Sequence, residues 1–228
     1  MKASAVLLLT LFAGSVSSQT VREMSLPWKS EQKINLNLKF ADRINIQAWD
    51  KKEVFFKAEI TINGGTLDHA HTMDSTIHNE EITIITDFDK ALIPKNWCNC
   101  EGTNNFTINN KRDRQQICSE IYYTVYLPAG ADLELKTISG DVKILNMKGA
   151  IDAESVSGEV EVIIPPNQKV DVSLKSVMGR VASYPDLTTL EDGLRPMLAR
   201  KLNGKLNGGG KAVRLESVTG DVSLRSKQ

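Results

Sequence analysis

Three carboxylates occupy equivalent places in the chain and are the residues whose type and spacing most invite chemistry. Asp141, Glu159 and Asp221 each follow a glycine that stands three residues after a serine or threonine. Retaining glycoside hydrolysis needs two carboxyls about 5 Å apart, and neighbouring strands lie about 4.8 Å apart, so stacked copies would meet that distance. Arg180, at the fourth equivalent place, would neutralise an acid pair or a calcium site. Acidic residues repeated on an exposed turn are equally what a solvated stack requires, and alanine at the three positions is expected to leave folding nearly unchanged. No Ser-His-Asp or Cys-His arrangement is legible. The expectation is therefore no catalytic residues and no cofactor.

The chain has three histidines, His69, His71 and His78. His-x-His can ligate a metal through neutral imidazoles, but Asp68, Thr72, Asp74 and Asn79 suit a polar connecting segment, and no Cys or Glu at zinc-site spacing completes a tetrahedron. No metal site is expected. The cysteines are also three, Cys98, Cys100 and Cys118. In an exported chain an odd number predicts one disulfide and one thiol left over. A bridge from Cys118 to Cys98 or Cys100 closes a loop of about 20 residues, worth roughly 3 kcal/mol; a Cys-x-Cys redox or metal role is the alternative, without a second pair or a ligating histidine nearby to favour it.

The elements that position these groups come from a pattern written four times. Thr137-Ile138-Ser139-Gly140-Asp141-Val142 returns at Ser155 to Val160, Ser176 to Val181 and Ser217 to Val222, with glycines spaced by 18, 21 and 41 residues. An interval near 20 points to stacked coils. With the glycines aligned, Leu133, Ile151, Val172 and Val213 fall in one column, Leu135, Ala153, Leu174 and Leu215 in a second, and Val142, Val160, Val181 and Val222 in a third. These are period-two apolar faces of strands. Thr137, Ser155, Ser176 and Ser217 are small hydroxyls able to bond backbone on the next rung. Gly140, Gly158, Gly179 and Gly220 mark the corner, where positive φ favours glycine. Lys136, Glu154, Lys175 and Glu216 alternate in sign as cross-strand neighbours should. A hairpin at each Ser-Gly or Thr-Gly is the competing all-β reading; agreement of residue type on both faces favours stacked rungs.

Around this core the chain reads as follows. It has 228 residues, 41% hydrophobic, with formal net charge zero, enough for a core and without the basic stripe that nucleic acid wants. Residues 1–18 carry Lys2, an apolar run and small residues before Gln19, which predicts a secretory signal peptide. No later apolar run is long enough to span a membrane as a helix, and no cysteine follows the signal to carry a lipid anchor. Strands are expected from Lys33, in alternating runs around Ile34 to Leu38, Ile44 to Ala48, Val54 to Ile62 and Glu81 to Thr86, with Trp49 to Val54 a polar turn. Residues 66–80 read as a short helix or an excursion, and 89–119 as an irregular, cysteine-bearing insertion. Leu187, Leu190, Leu194, Met197 and Leu198 suggest a short helix within Tyr184 to Lys205, an excursion that would account for a missing rung between Gly179 and Gly220.

The stretch Glu120 to Val142, with Pro128-Ala129-Gly130 leading into the first rung, resembles the central signature of the bacterial putative-adhesin family, a domain of unknown function built as a β-helix-like solenoid. Two further passages agree with it: Ile44 to Val54, and Leu206-Asn207-Gly208-Gly209-Gly210 followed by Leu215 to Leu224. The resemblance covers nearly all of residues 19–228 as one domain and brings no catalytic residues. It implies an exported all-β protein of the periplasm, cell surface or extracellular space. The expected role is binding, adhesion or structure without catalysis, with a glycan, an envelope protein or another copy as partner and Tyr122, Tyr126 and Trp97 as candidate anchors. A β-helical polysaccharide-acting enzyme is the alternative.

Overall fold

The computed structural model describes residues 19–93, 104–110, 113–184, 186–189 and 201–227. The first half gives β1 Thr20–Pro27, β2 Lys33–Leu38, β3 Phe40–Trp49, β4 Glu53–Ile62, a 3-10 turn Asp68–Ala70, β5 His71–Ile77, β6 Glu81–Phe88, β7 Asn104–Asn110 and β8 Asp113–Pro128. The second half gives β9 Leu133–Leu145, β10 Ile151–Ser157, β11 Val160–Ile164, β12 Val170–Ser176, β13 Val181–Tyr184, β14 Thr188–Thr189, β15 Lys201–Leu206, β16 Lys211–Ser217 and β17 Val222–Ser226. The fold is all-β, and its rungs stack as parallel strands rather than as hairpins.

Each rung is bent at its corner, so the sheet folds into two limbs whose inward side chains share one core. In the first limb the inward column runs Ile82, Ile34, Leu133, Ile151, Val213, Val172. In the second it runs Tyr123, Ile44, Val142, Val160, Val222, Val181. The first five members of the second column are at most 2% exposed, whereas Val181, in the terminal rung, is half-buried. The pair β2 and β3 is thus a rung as well, bent at Lys39 and Phe40 instead of at a glycine.

Stacking order departs from chain order. The fourth written copy, β16 with β17, lies between the second, β10 with β11, and the third, β12 with β13. Among the described residues no gap in the stack corresponds to the 41-residue spacing; the last copy fills a slot opened between two earlier ones. The chain reaches it by first laying β15 antiparallel along the far side of β12 and then crossing the end of β12 through Asn207 to Gly210. Asn207, Gly208 and Gly209 have φ of 52°, 91° and 84°, and a Cβ on Gly210 would stand 2.5 Å from the Lys169 carbonyl oxygen. That close crossing is the reason for three consecutive glycines. The slot also rearranges the expected charge ladder, since Glu154 now neighbours Glu216, the pair being flanked by Lys136 beside Glu154 and by Lys175, 2.9 Å from Glu216.

Other expectations change for local reasons. β1 precedes the first strand the sequence suggested; its inward face carries Arg22, whose guanidinium donates to the carbonyls of His71 and Asp68, so the apolar alternation is broken. Within 89–119, β7 and the start of β8 form an antiparallel hairpin, regular backbone under polar residues such as Asn109, Asn110, Asp113 and Arg114. Residues 66–80 hold the 3-10 turn and β5. Between Tyr184 and Lys205 the described residues form β14 and the start of β15, and Leu190, Leu194, Met197 and Leu198 lie outside them.

Candidate binding face on the second limb

The glycine corners set the geometry of the carboxylates. Gly140 and Gly158 have φ of 114° and 124°. At Gly179 and Gly220 contact is decisive, because a Cβ would come within 2.2 and 1.7 Å of carbonyl oxygens on the adjoining rung. Rungs this close are joined by side chains. Ser217 Oγ donates to the Gly158 carbonyl at 3.0 Å and accepts from the Gly220 N–H at 2.9 Å; Ser176 repeats the arrangement with the Gly220 carbonyl at 2.7 Å and the Gly179 N–H at 2.8 Å.

Two of the three carboxylates serve the same end. Asp141 Oδ1 accepts from the Glu159 N–H at 3.0 Å, and Asp221 Oδ1 accepts from the Arg180 N–H at 2.8 Å. Asp221 also holds the Arg180 guanidinium at 2.8 and 3.0 Å. The backbone N–H, then the guanidinium, keep the Asp221 carboxyl below the usual carboxylate range. A nearly unchanged fold after alanine substitution is accordingly expected only of Glu159, since each aspartate bond is worth about 1 kcal/mol.

The outward face of the second limb gathers the groups left for a ligand. Arg43 pairs in register with Tyr122 on one side and Asp141 on the other. With Asn45, Lys143, Glu159 and Glu161, Arg43 and Asp141 line a shallow depression of ≈ 290 Å³. Glu161 is committed to Lys143 at 2.9 Å and Arg225 at 3.0 Å. Among the described residues Arg43 makes no ion pair, and Tyr122 is 36% exposed beside it.

Toward the other end of β3 the aromatic residues are already occupied with one another. Trp49 stacks on Tyr126 with ring centroids 5.2 Å apart, Phe55 lies 6.2 Å from Tyr126, and the Lys51 ammonium sits 4.6 Å from the Trp49 ring. Trp49 Nε1 donates to the Glu53 carbonyl at 2.9 Å. The trio covers the limb, whereas Tyr122 remains open. Trp97 lies outside the described residues.

The histidines separate. His71 is buried with Nε2 2.7 Å from the Tyr123 hydroxyl, while His69 and His78 are exposed. Burial first, then Arg22, pushes the His71 pKa down to about 4, and burial raises that of Tyr123. Among the described residues no three potential metal ligands stand together. Cys118 is nearly buried in β8 and is engaged; Cys98 and Cys100 lie outside the described residues.

Arg43, Trp49 and Phe55 escaped the sequence reading. Alternation through Ile44 and Ile46 places Arg43, Gln47 and Trp49 outward in phase with Tyr122 and Tyr126, and that was the available signal. Treating Trp49 to Val54 as a turn concealed it.

The Toastrack DUF4097 family matches residues 57–225. Among solved structures the chain is similar to a putative cell adhesion protein from Clostridium sporogenes, at 13% identity and TM-score 0.53, over 92% of this chain and 100% of that one. It also matches a putative adhesin from Bacteroides fragilis at 8% identity and TM-score 0.33, over 92% and 99% of the two chains. A putative lipid binding protein from Parabacteroides distasonis follows at 10% and 0.25, over 93% and 98%. The first likeness is one of fold. No curated protein matches the chain. Among the described residues no helix is long and apolar enough to cross a membrane.

Proposed function

The chain belongs to the Toastrack DUF4097 family, and from that premise we propose that it is an exported, non-enzymatic binding module of the bacterial envelope whose second limb takes carbohydrate. The observation that carries this reading is unpaired Arg43 in the wall of a shallow depression, with exposed Tyr122 as its neighbour on the next strand. A sugar presents an apolar ring face that an aromatic ring can cover and hydroxyl pairs that planar guanidinium, amide and carboxylate groups can bracket. Catalysis is disfavoured because Asp141 and Asp221 are held in bonds between rungs.

Binding to a glycan array, followed by titration of the tightest ligand, tests the proposal. Tyr122→Ala and Arg43→Ala should each weaken binding about tenfold, or about 1.4 kcal/mol, with the circular dichroism spectrum unchanged. Binding of equal strength in both variants, or turnover of any bound polysaccharide, would sink it.

Export is part of the same proposal, resting on the composition of residues 1–18 and the resemblance of the chain to adhesins. The mature chain then begins near Gln19 with one disulfide from Cys118 to Cys98 or Cys100. The intact mass of secreted, unreduced protein should show the loss of residues 1–18 and of two hydrogens. A mass with the leader retained or with three alkylatable thiols refutes it.

A further inference from the structure

The C-terminal rung stands between neighbours that are equipped to pair with each other. Val213 lies between Ile151 and Val172, Leu215 between Ala153 and Leu174, and Ser217 between Ser155 and Ser176. Val222 likewise separates Val160 from Val181. Without the intervening rung these columns would close in the same register, apolar on apolar and hydroxyl on hydroxyl. Ser176 Oγ, which donates to the Gly220 carbonyl, would find the Gly158 carbonyl that Ser217 now uses.

Charge favours the observed order only weakly. The inserted rung sets Glu216 beside Glu154 while providing Glu216 to Lys175, Asp221 to Arg180, Arg214 to Asp152, Arg225 to Glu161 and Lys211 to Asp132, exposed pairs of small worth. The closed slot would set Lys175 against Glu154 and Arg180 against Glu159, opposite charges in both rows. Because the copies carry the same residue types at these inward positions, either pairing keeps every buried face inward without a slip of register. The tether permits them too, since Asn207 to Gly209 already occupy positive φ in a crossing loop and β15 can stay on β12 while β16 leaves.

We infer that the C-terminal rung, β16 with β17, is an exchangeable wedge: when it departs, its own slot either closes or takes the same rung of a second copy of this chain, and that second copy is the partner of the departed rung. The swapped pair recovers every contact of the single chain, because the slot, the column and the bonds between rungs are identical. Release alone exposes Val213, Leu215, Val222 and Leu224, all buried in the stack, which drives the released rung toward another copy.

Cysteine pairs on the outward face distinguish the two orders. Asp152 and Ser173 both neighbour Arg214, so they stand two strand spacings apart, roughly 9.6 Å, beyond disulfide reach. In the closed slot they become direct neighbours. Full-length Asp152→Cys/Ser173→Cys is expected to accumulate a 152–173 disulfide under mild oxidation, located by peptide mass spectrometry, with peptides of residues 211–227 becoming protease-sensitive. The pair Asp152→Cys/Arg214→Cys reports the observed order. A tagged chain with Asp152→Cys incubated with an untagged chain carrying Arg214→Cys should yield a disulfide-linked heterodimer. Native-state hydrogen exchange of the unsubstituted chain should show β16 and β17 opening together before β9 and β10. Absence of the 152–173 bond while the 152–214 control goes to completion overturns the wedge. Its formation without any interchain product overturns the second copy as partner, and exchange of β16 and β17 in step with β9 overturns both.

Discussion

His71 illustrates how a residue that resembles a ligand becomes a determinant of stability. Its ring is 2% exposed, against Tyr123 and near Arg22, Asp68 and Asp87, and burial holds it neutral down to about pH 4. In the unfolded chain the same imidazole titrates near the ordinary histidine pKa of 6.5. Above pH 6.5 both states are neutral and the shift has no effect. As pH falls below 6.5 the unfolded state gains a proton that the folded state refuses, so stability falls by up to about 1.4 kcal/mol per pH unit until the folded pKa is reached. Between pH 6.5 and 5 the unsubstituted chain should lose about 2 kcal/mol relative to His71→Phe. Urea unfolding of the two proteins at several pH values measures the difference, and parallel curves would show that His71 is not buried as described. Exposed His69 and His78 are common to both and cancel.

At the scale of the element, the rung corner is the tightest point in the fold. A Cβ on Gly220 would lie 1.7 Å from the Gly158 carbonyl oxygen, and that oxygen belongs to backbone in the middle of the stack, where neither rung can retreat. Gly220→Ala should cost several kcal/mol, on the order of an overpacked core site or more, while Gly130→Ala, with nothing within 4 Å of its Cβ, should be neutral. Equal urea midpoints for the two variants would contradict the stacking. The columns through Val142, Val160 and Val222 were legible because period-two alternation and a repeated glycine fix which residues share a face. The order of the rungs was not, because copies so alike in type specify that they stack without specifying which lies beside which. That information resides in β15 and the crossing at Asn207 to Gly210, whose glycines read only as a family likeness. For the binding face, Tyr122 was legible as an aromatic on an alternating strand. Arg43 was not, since its meaning depends on a neighbour in another strand, and neither was the mutual stacking of Trp49 and Tyr126.

For the whole molecule, a stacking order that differs from chain order has a kinetic consequence. Val172 follows Ile151 by 21 residues, whereas Val213, the neighbour Ile151 has in the structure, follows it by 62. Loop closure disfavours the longer separation, and contacts close in sequence form faster than distant ones. The second and third rungs therefore have the opportunity to pair before the fourth arrives, and the pairing they would make is in register. It must reopen to admit β16 and β17. Refolding should accordingly end in a slow phase in which the last rung is inserted. Pulse-labelling hydrogen exchange during refolding should find amides of β9, β10 and β11 protected before those of β16 and β17. Glu154→Lys, which would set like charges against Lys175 in the premature pairing and opposite charges against Glu216 in the final one, should shorten the slow phase. Protection of β16 and β17 in the same phase as β10, with no acceleration by Glu154→Lys, would mean that the slot is held open for its rung from the start.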